Sequence, residues 1–384
     1  MFPGRDPGAA AAIDKPRENV IGSLQILLEK SMPSLKPLTA TGIGSVPFTD
    51  PEEAVALILE FLPQVPFWPQ MVRLGFREEM NVQAARGLPA LRLNETARVV
   101  EVDPEIPRDE ALARFYEAVL SGDLAPFAWE PRDAQGFFAL LAAVAAGKFP
   151  GPVLKGQLSG PVTLAGVIKD HTGKPILYDR ELTQAVCQGL ARKAAWQAAR
   201  FRELGKDPVI FFDEPYLTGF GSAYLPISRA EVLEILGQTL EETRQAVAGP
   251  ITLGVHCCGN TDWSLLLEAD IDLLSFDSYG YFDNLRLYDR ALQKYLARGG
   301  WLAWGLVPTG DELQEETTES LWQRFQGQVT QLAADQQLGL KEILSQALLT
   351  PACGMGYLSP ENARRVLAVL AELSLRGQRW LASP

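Results

Sequence analysis

The run DPVIFFDEP, residues 207–215, decides how the rest of the chain is read. Four consecutive apolar residues, Val209 to Phe212, show no polar alternation. A strand of this kind is buried on both faces, as in a parallel sheet covered by helices. Two carboxylates and a proline, Asp213, Glu214 and Pro215, then end the run. The same pattern recurs on either side. Strand-like runs lie at 38–44, 66–71, 152–159, 207–214, 251–257, 271–276, 300–306 and 344–350, which makes eight. Helical patterns separate them, including 50–62, with Asp50 as N-cap and Pro51 at the first helical position, 181–204 and 359–374. Eight apolar strands alternating with helices predict the α/β class and a single (β/α)8 TIM barrel over residues 37–384. Residues 1–36 are rich in Pro, Gly and Ala, carry one amphipathic piece, IGSLQILLEK, and are read as an N-terminal extension. A doubly wound open sheet shows the same alternation, but the chain lacks a glycine-rich turn of the dinucleotide or P-loop type.

Bulk composition narrows the function. The chain has 384 residues, 47% of them hydrophobic and 21% charged, enough to bury a large core. A net charge of -12 argues against nucleic acid, whose backbone demands a basic footprint. Apolar runs such as FFALLAAVAAG (137–147) fall short of the roughly 20 residues that cross a bilayer, so no membrane partner is expected. The N-terminus has no apolar core of the secretory type, and a cytoplasmic location is expected. Four unevenly spaced cysteines do not make a disulfide framework; metal or catalytic use is the better reading.

In a barrel the chemistry belongs at the C-terminal ends of the strands. There the sequence places IGSVP (43–47), GQLSGPVT (156–163), DEP (213–215), HCCGN (256–260), FDS (276–278) and PACG (351–354). Side chains alternate along a strand, so His256 and Cys258 point to one side and Cys257 to the other. Cys353 supplies a third soft donor and Asp277 a carboxylate. Imidazole, two thiolates and one further oxygen or substrate atom suit tetrahedral Zn2+. Burial at a strand end is the competing reading for His256 and Cys258. Cys257 and Cys187 read as packed residues, and His171 as an exposed loop residue. Asp213 and Glu214 read as ligand contacts or as a helix cap; Gly44 and Ser45 shape a turn or a site.

Taken in order, TATGIGSVPFTD (39–50), LKGQLSGPVTL (154–164), FFDEP (211–215), VHCCGNTDW (255–263) and PACGMG (351–356) resemble the catalytic half of cobalamin-independent methionine synthase. That superfamily also includes uroporphyrinogen decarboxylase and the zinc-dependent corrinoid:thiol methyltransferases. The resemblance implies zinc held by His256, Cys258 and Cys353, with Asp277 standing where the family has a glutamate ligand. It further implies that Ser45 contacts an amino acid substrate, that Asp213 binds its ammonium group, and that Glu78 or Glu79 of FREEMN assists. Two departures concern the folate half of the family's reaction. The tryptophan on which folate stacks is replaced around Val167, and WGLVPTG (304–310) lacks the family's proton-donating histidine. The expected reaction is therefore methyl transfer to homocysteine, giving methionine, from a methylated corrinoid protein rather than methyltetrahydrofolate. Rival readings are transfer to another thiol such as coenzyme M, a uroporphyrinogen decarboxylase-like protein, and a noncatalytic zinc- or corrinoid-binding chaperone.

Overall fold

Among the described residues eight regular segments pair as strands: β1 (Leu91–Asn94), β2 (Val99–Val102), β3 (Val153–Ser159), β4 (Asp207–Asp213), β5 (Thr252–Cys257), β6 (Leu273–Phe276), β7 (Trp301–Val307) and β8 (Ala347–Pro351). The computed structural model describes residues 35–383, so the extension expected over 1–36 lies, apart from Leu35 and Lys36, outside the described residues. Strands β3 to β8 form one parallel sheet in chain order. Each is followed by helix, and helices cover its outer face.

Two extended segments complete the ring. Residues 38–41 join β8 through Leu38 N to Ala347 O (2.6 Å), Thr41 N to Leu349 O (3.0 Å) and Leu349 N to Thr39 O (3.0 Å). Residues 66–68 join β3 through Lys155 N to Pro66 O (2.9 Å) and Trp68 N to Lys155 O (3.3 Å). Val46 N to Gln70 O (3.0 Å) and Gln70 N to Gly44 O (2.9 Å) tie the two segments together. The chain is thus an α/β barrel in which six of the eight expected strands are regular and the first two are held by isolated bridges. Pro66 and Pro69 have no N–H to give a ladder, which is why the second segment does not extend into one. In the first segment the Phe67 ring lies where a Cβ at Gly42 would be, 2.2 Å away, so the close approach requires glycine.

The helices start where the caps place them. Pro51–Phe61 begins at Asp50, whose carboxylate accepts from Glu52 N (2.9 Å) and Glu53 N (3.2 Å). Arg180–Glu203 carries Cys187, fully buried. The last helix, Pro360–Ala382, runs eight residues past the end expected at 374 because its apolar face continues through Gly377 against Leu38. The last strand starts three residues later than expected, since 340–345 is helical. A hairpin, β1–β2, lies between the second and third expected strands; LRLN alternates with period 2, VVEV does so only over its last three residues, and a turn with Arg98 at φ 53° joins them. Among the described residues no helix is long and apolar enough to cross a membrane.

Side-chain direction follows from one aromatic cluster. Trp304 of β7 lies 5.8 Å from Phe282 and 5.5 Å from Phe325, both on outer helices, so its face of the sheet points outward. Its register partners Phe276 and Leu349, and Cys257 beside Phe276, share that face. The adjacent row points inward: Ser159, Asp213, His256, Ser275 and Ala303 lie level across β3 to β7.

Candidate metal centre

Strand β5 places His256 one residue before its end and Cys258 one residue beyond it. Cys353 comes from the loop that follows β8. One donor atom from each of His256, Cys258 and Cys353 lies within 4.8 Å of the others. Three residues separated by up to 97 positions thus meet at the C-terminal mouth of the barrel. Cys257, with the opposite parity, is fully buried on the outward face, and burial pushes its thiol up to about 12.

The imidazole is oriented for ligation. His256 is 3% exposed, and its Nδ1 lies 2.9 Å from Ser275 Oγ on the neighbouring strand. With Nδ1 donating to that hydroxyl, Nε2 presents its lone pair, and it has no hydrogen-bond partner. The two thiols share a contact. The proximity of Cys353 raises Cys258, while the proximity of Cys258 and then of His256 holds Cys353 well below the usual thiol range. Carboxylates crowd the same mouth. Burial raises Asp213, with Lys155 and His256 opposing, and raises Asp277 to about 6, with Cys353 adding to the effect. A buried imidazole nitrogen without a hydrogen-bond partner beside two thiols is a donor set that fits a Zn2+ ion.

The remaining candidates separate. Asp213 points inward one strand from His256, and its Oδ1 is buried without a partner. Glu214 instead accepts from Val162 N (2.9 Å), Thr163 N (2.7 Å) and Thr163 Oγ1 (2.6 Å), capping the helix Pro161–Val167. The DEP pair therefore divides into an inward carboxylate with an unpartnered oxygen and a scaffold carboxylate. Asp277 caps the helix Ser278–Arg286 through Gly280 N (2.8 Å), and its oxygens are not part of the three-residue donor cluster. Ser45 faces the Cys353 loop: its Oγ accepts from Gly356 N (3.2 Å) and its carbonyl from Met355 N (2.8 Å). Glu78 is 1% exposed, accepts from Gln135 N (2.8 Å) and Gln83 Nε2 (3.0 Å), and is raised to about 7 by burial. Glu79 pairs with Arg98 at the surface. Both carboxylates of FREEMN are thus engaged by the scaffold, whereas Asn81 of the same motif reaches Ser159 Oγ in the inward row at 2.5 Å. His171 is exposed. Ser275 has no signal in the sequence, because its contact rests on lateral register between strands, and Lys155 stands in LKGQLSGPVTL without any role that the motif reveals.

No family model and no curated protein matches the chain. Solved structures share its architecture, two of them as follows. A B12-independent methionine synthase from Shewanella sp. W3-18-1, in complex with selenomethionine, superposes with a TM-score of 0.53 at 16% identity over 90% of this chain and 100% of its own. A methyltransferase from Methanosarcina mazei superposes with a TM-score of 0.54 at 15% identity over 94% and 98% respectively. At this identity the likeness establishes a common barrel fold for the three chains.

Proposed function

We propose that this protein is a zinc-dependent methyltransferase that moves a methyl group from a methylated corrinoid protein to the thiol of homocysteine, forming methionine. One observation carries the reading: the donor atoms of His256, Cys258 and Cys353 converge, and an unpartnered buried carboxylate oxygen, Asp213 Oδ1, lies in the same inward row. His256, Cys258 and Cys353 would hold the ion, with Ser275 fixing the imidazole. Zinc bound there supplies the Lewis acidity that deprotonates a thiol at neutral pH. The protein's own part is recognition and orientation. Asp213 accepts hydrogen bonds from the substrate ammonium, and the buried row excludes water from the sulfur. In the transfer the S–CH3 bond forms as the Co–C bond breaks, with its electron pair remaining on cobalt. That leaving group takes no proton, which fits a chain whose histidines are only His256 and the exposed His171. The fold shared with a methionine synthase holding selenomethionine supports an amino acid of that size as product.

The test is a matrix of donors and acceptors on the zinc-loaded protein: methylcobalamin and methyltetrahydrofolate against homocysteine and coenzyme M. Turnover is expected with methylcobalamin and homocysteine. Equal or better turnover with methyltetrahydrofolate would refute the donor, and preference for coenzyme M would refute the acceptor.

A further inference from the structure

Lys155, an interior lysine of β3, has no place in the reaction just described. It is 1% exposed and sits 5.0 Å from the centre of the Phe211 ring. Its Nζ donates to the carbonyl oxygen of Ile43 and, at 3.2 Å, to Gln157 Oε1. Gln157 in turn donates to Trp68 O (2.9 Å), and its side chain lies against Gly44, where a Cβ would come within 2.9 Å of Nε2. Two β3 side chains therefore hold the 43–45 turn from below. The upper side of that turn holds the loop that carries Cys353. Ser45 accepts from Met355 N and Gly356 N, and a Cβ at Gly354 would lie 2.2 Å from Ser45 Oγ. His256 rides on the regular strand β5, and Cys258 follows directly from its end. Cys353 sits in a loop, so its position depends on what the loop is fastened to.

We infer that Lys155 is a positioning residue for the metal centre, acting through the Ile43 carbonyl and Ser45 on the loop that carries Cys353. The inference rests on the metal reading above. Its sign separates it from plain electrostatics. Removing a nearby positive charge favours a bound cation by Coulomb's law, whereas loss of a fastening weakens the site.

The test compares the wild type with Lys155→Met, Ser45→Ala, the double variant and Lys193→Met. Lys193 is an equally buried lysine that donates to Phe127 O (3.0 Å) on the outer layer, and it controls for the general cost of losing such a group. Zinc affinity is read by competition with a chromophoric chelator, and the alkylation rate of Cys353 in metal-free protein by mass spectrometry. Lys155→Met and Ser45→Ala should each weaken zinc on the order of tenfold, the range of outer-shell partners, and should speed alkylation of Cys353. The double variant should lose no more than the worse single, and Lys193→Met should match the wild type. Unchanged or tighter zinc binding by folded Lys155→Met, or losses that multiply in the double variant, would overturn the inference. If Lys155→Met does not fold, Ser45→Ala carries the same expectation, and unaltered affinity there is equally fatal. A wild type that takes up no zinc would fail the metal reading instead; equal alkylation rates in wild type and Ser45→Ala would then overturn the positioning role by itself.

Discussion

Replacing Asp213 by Asn tests substrate recognition without disturbing shape. Asp213 lies level with His256 on the adjacent strand, is 8% exposed, and leaves Oδ1 without a partner. A hydrogen bond from an ammonium to a carboxylate in such a place contributes about 1.5–3 kcal/mol. Asn keeps an acceptor oxygen and removes the charge. At 1.36 kcal/mol per decade, kcat/KM for homocysteine should fall about 10- to 150-fold. The assay is methyl transfer from methylcobalamin to homocysteine and to 4-mercaptobutanoate, which lacks only the amino group. Wild type should prefer homocysteine by a similar factor, and Asp213→Asn should scarcely distinguish the two. Zinc content should be unaltered, because Asp213 is not in the donor cluster. An equal loss on both thiols would show that Asp213 acts on the reaction in general and not on the ammonium, and the reasoning would fail.

Three further outcomes are expected. Ser275→Ala should weaken zinc about 10- to 100-fold by freeing the His256 ring, and Cys353→Ala should abolish uptake and transfer, while Cys257→Ser, on the outward face, retains full zinc stoichiometry; metal analysis checks each. Glu214→Ala orphans three donors at the start of the helix Pro161–Val167 and should cost about 2–4 kcal/mol in urea unfolding; a loss under 1 kcal/mol would contradict the capping role. Glu78 should make stability fall with rising pH. Its folded carboxyl keeps a proton up to about 7, and the unfolded one loses it near 4.5. The native state therefore binds more protons between those values, and the contribution is full below about pH 4.5 and lost as pH passes about 7. The swing is about 3 kcal/mol, and Glu78→Gln should flatten the difference between urea midpoints at pH 5 and pH 8; an unchanged slope would exclude Glu78 as its source.

Much of the barrel was legible because strand burial and helix capping are local. VIFF between Asp207 and Asp213 is apolar throughout, as a strand covered on both faces must be, and Asp50–Pro51 names its helix start within two residues. The first two strands were legible as segments but not as bridges, since their pairing is limited by Pro66 and Pro69 in one and by the Phe67 ring against Gly42 in the other. The β1–β2 hairpin, four residues to a strand, is too short for its alternation to stand out from the helical pattern around it.

At the site, strand parity puts His256 and Cys258 on one side and Cys257 on the other, because alternation along a strand is a property of the backbone alone, while Cys353 stands out by its chemistry and its place after the last strand. The division of labour between Asp213 and Glu214, the Ser275 contact to the imidazole, and the fastening of the Cys353 loop by Ser45 came only with the tertiary structure. Each depends on which residues of different strands stand level with one another, and that register is set by packing the whole ring closed.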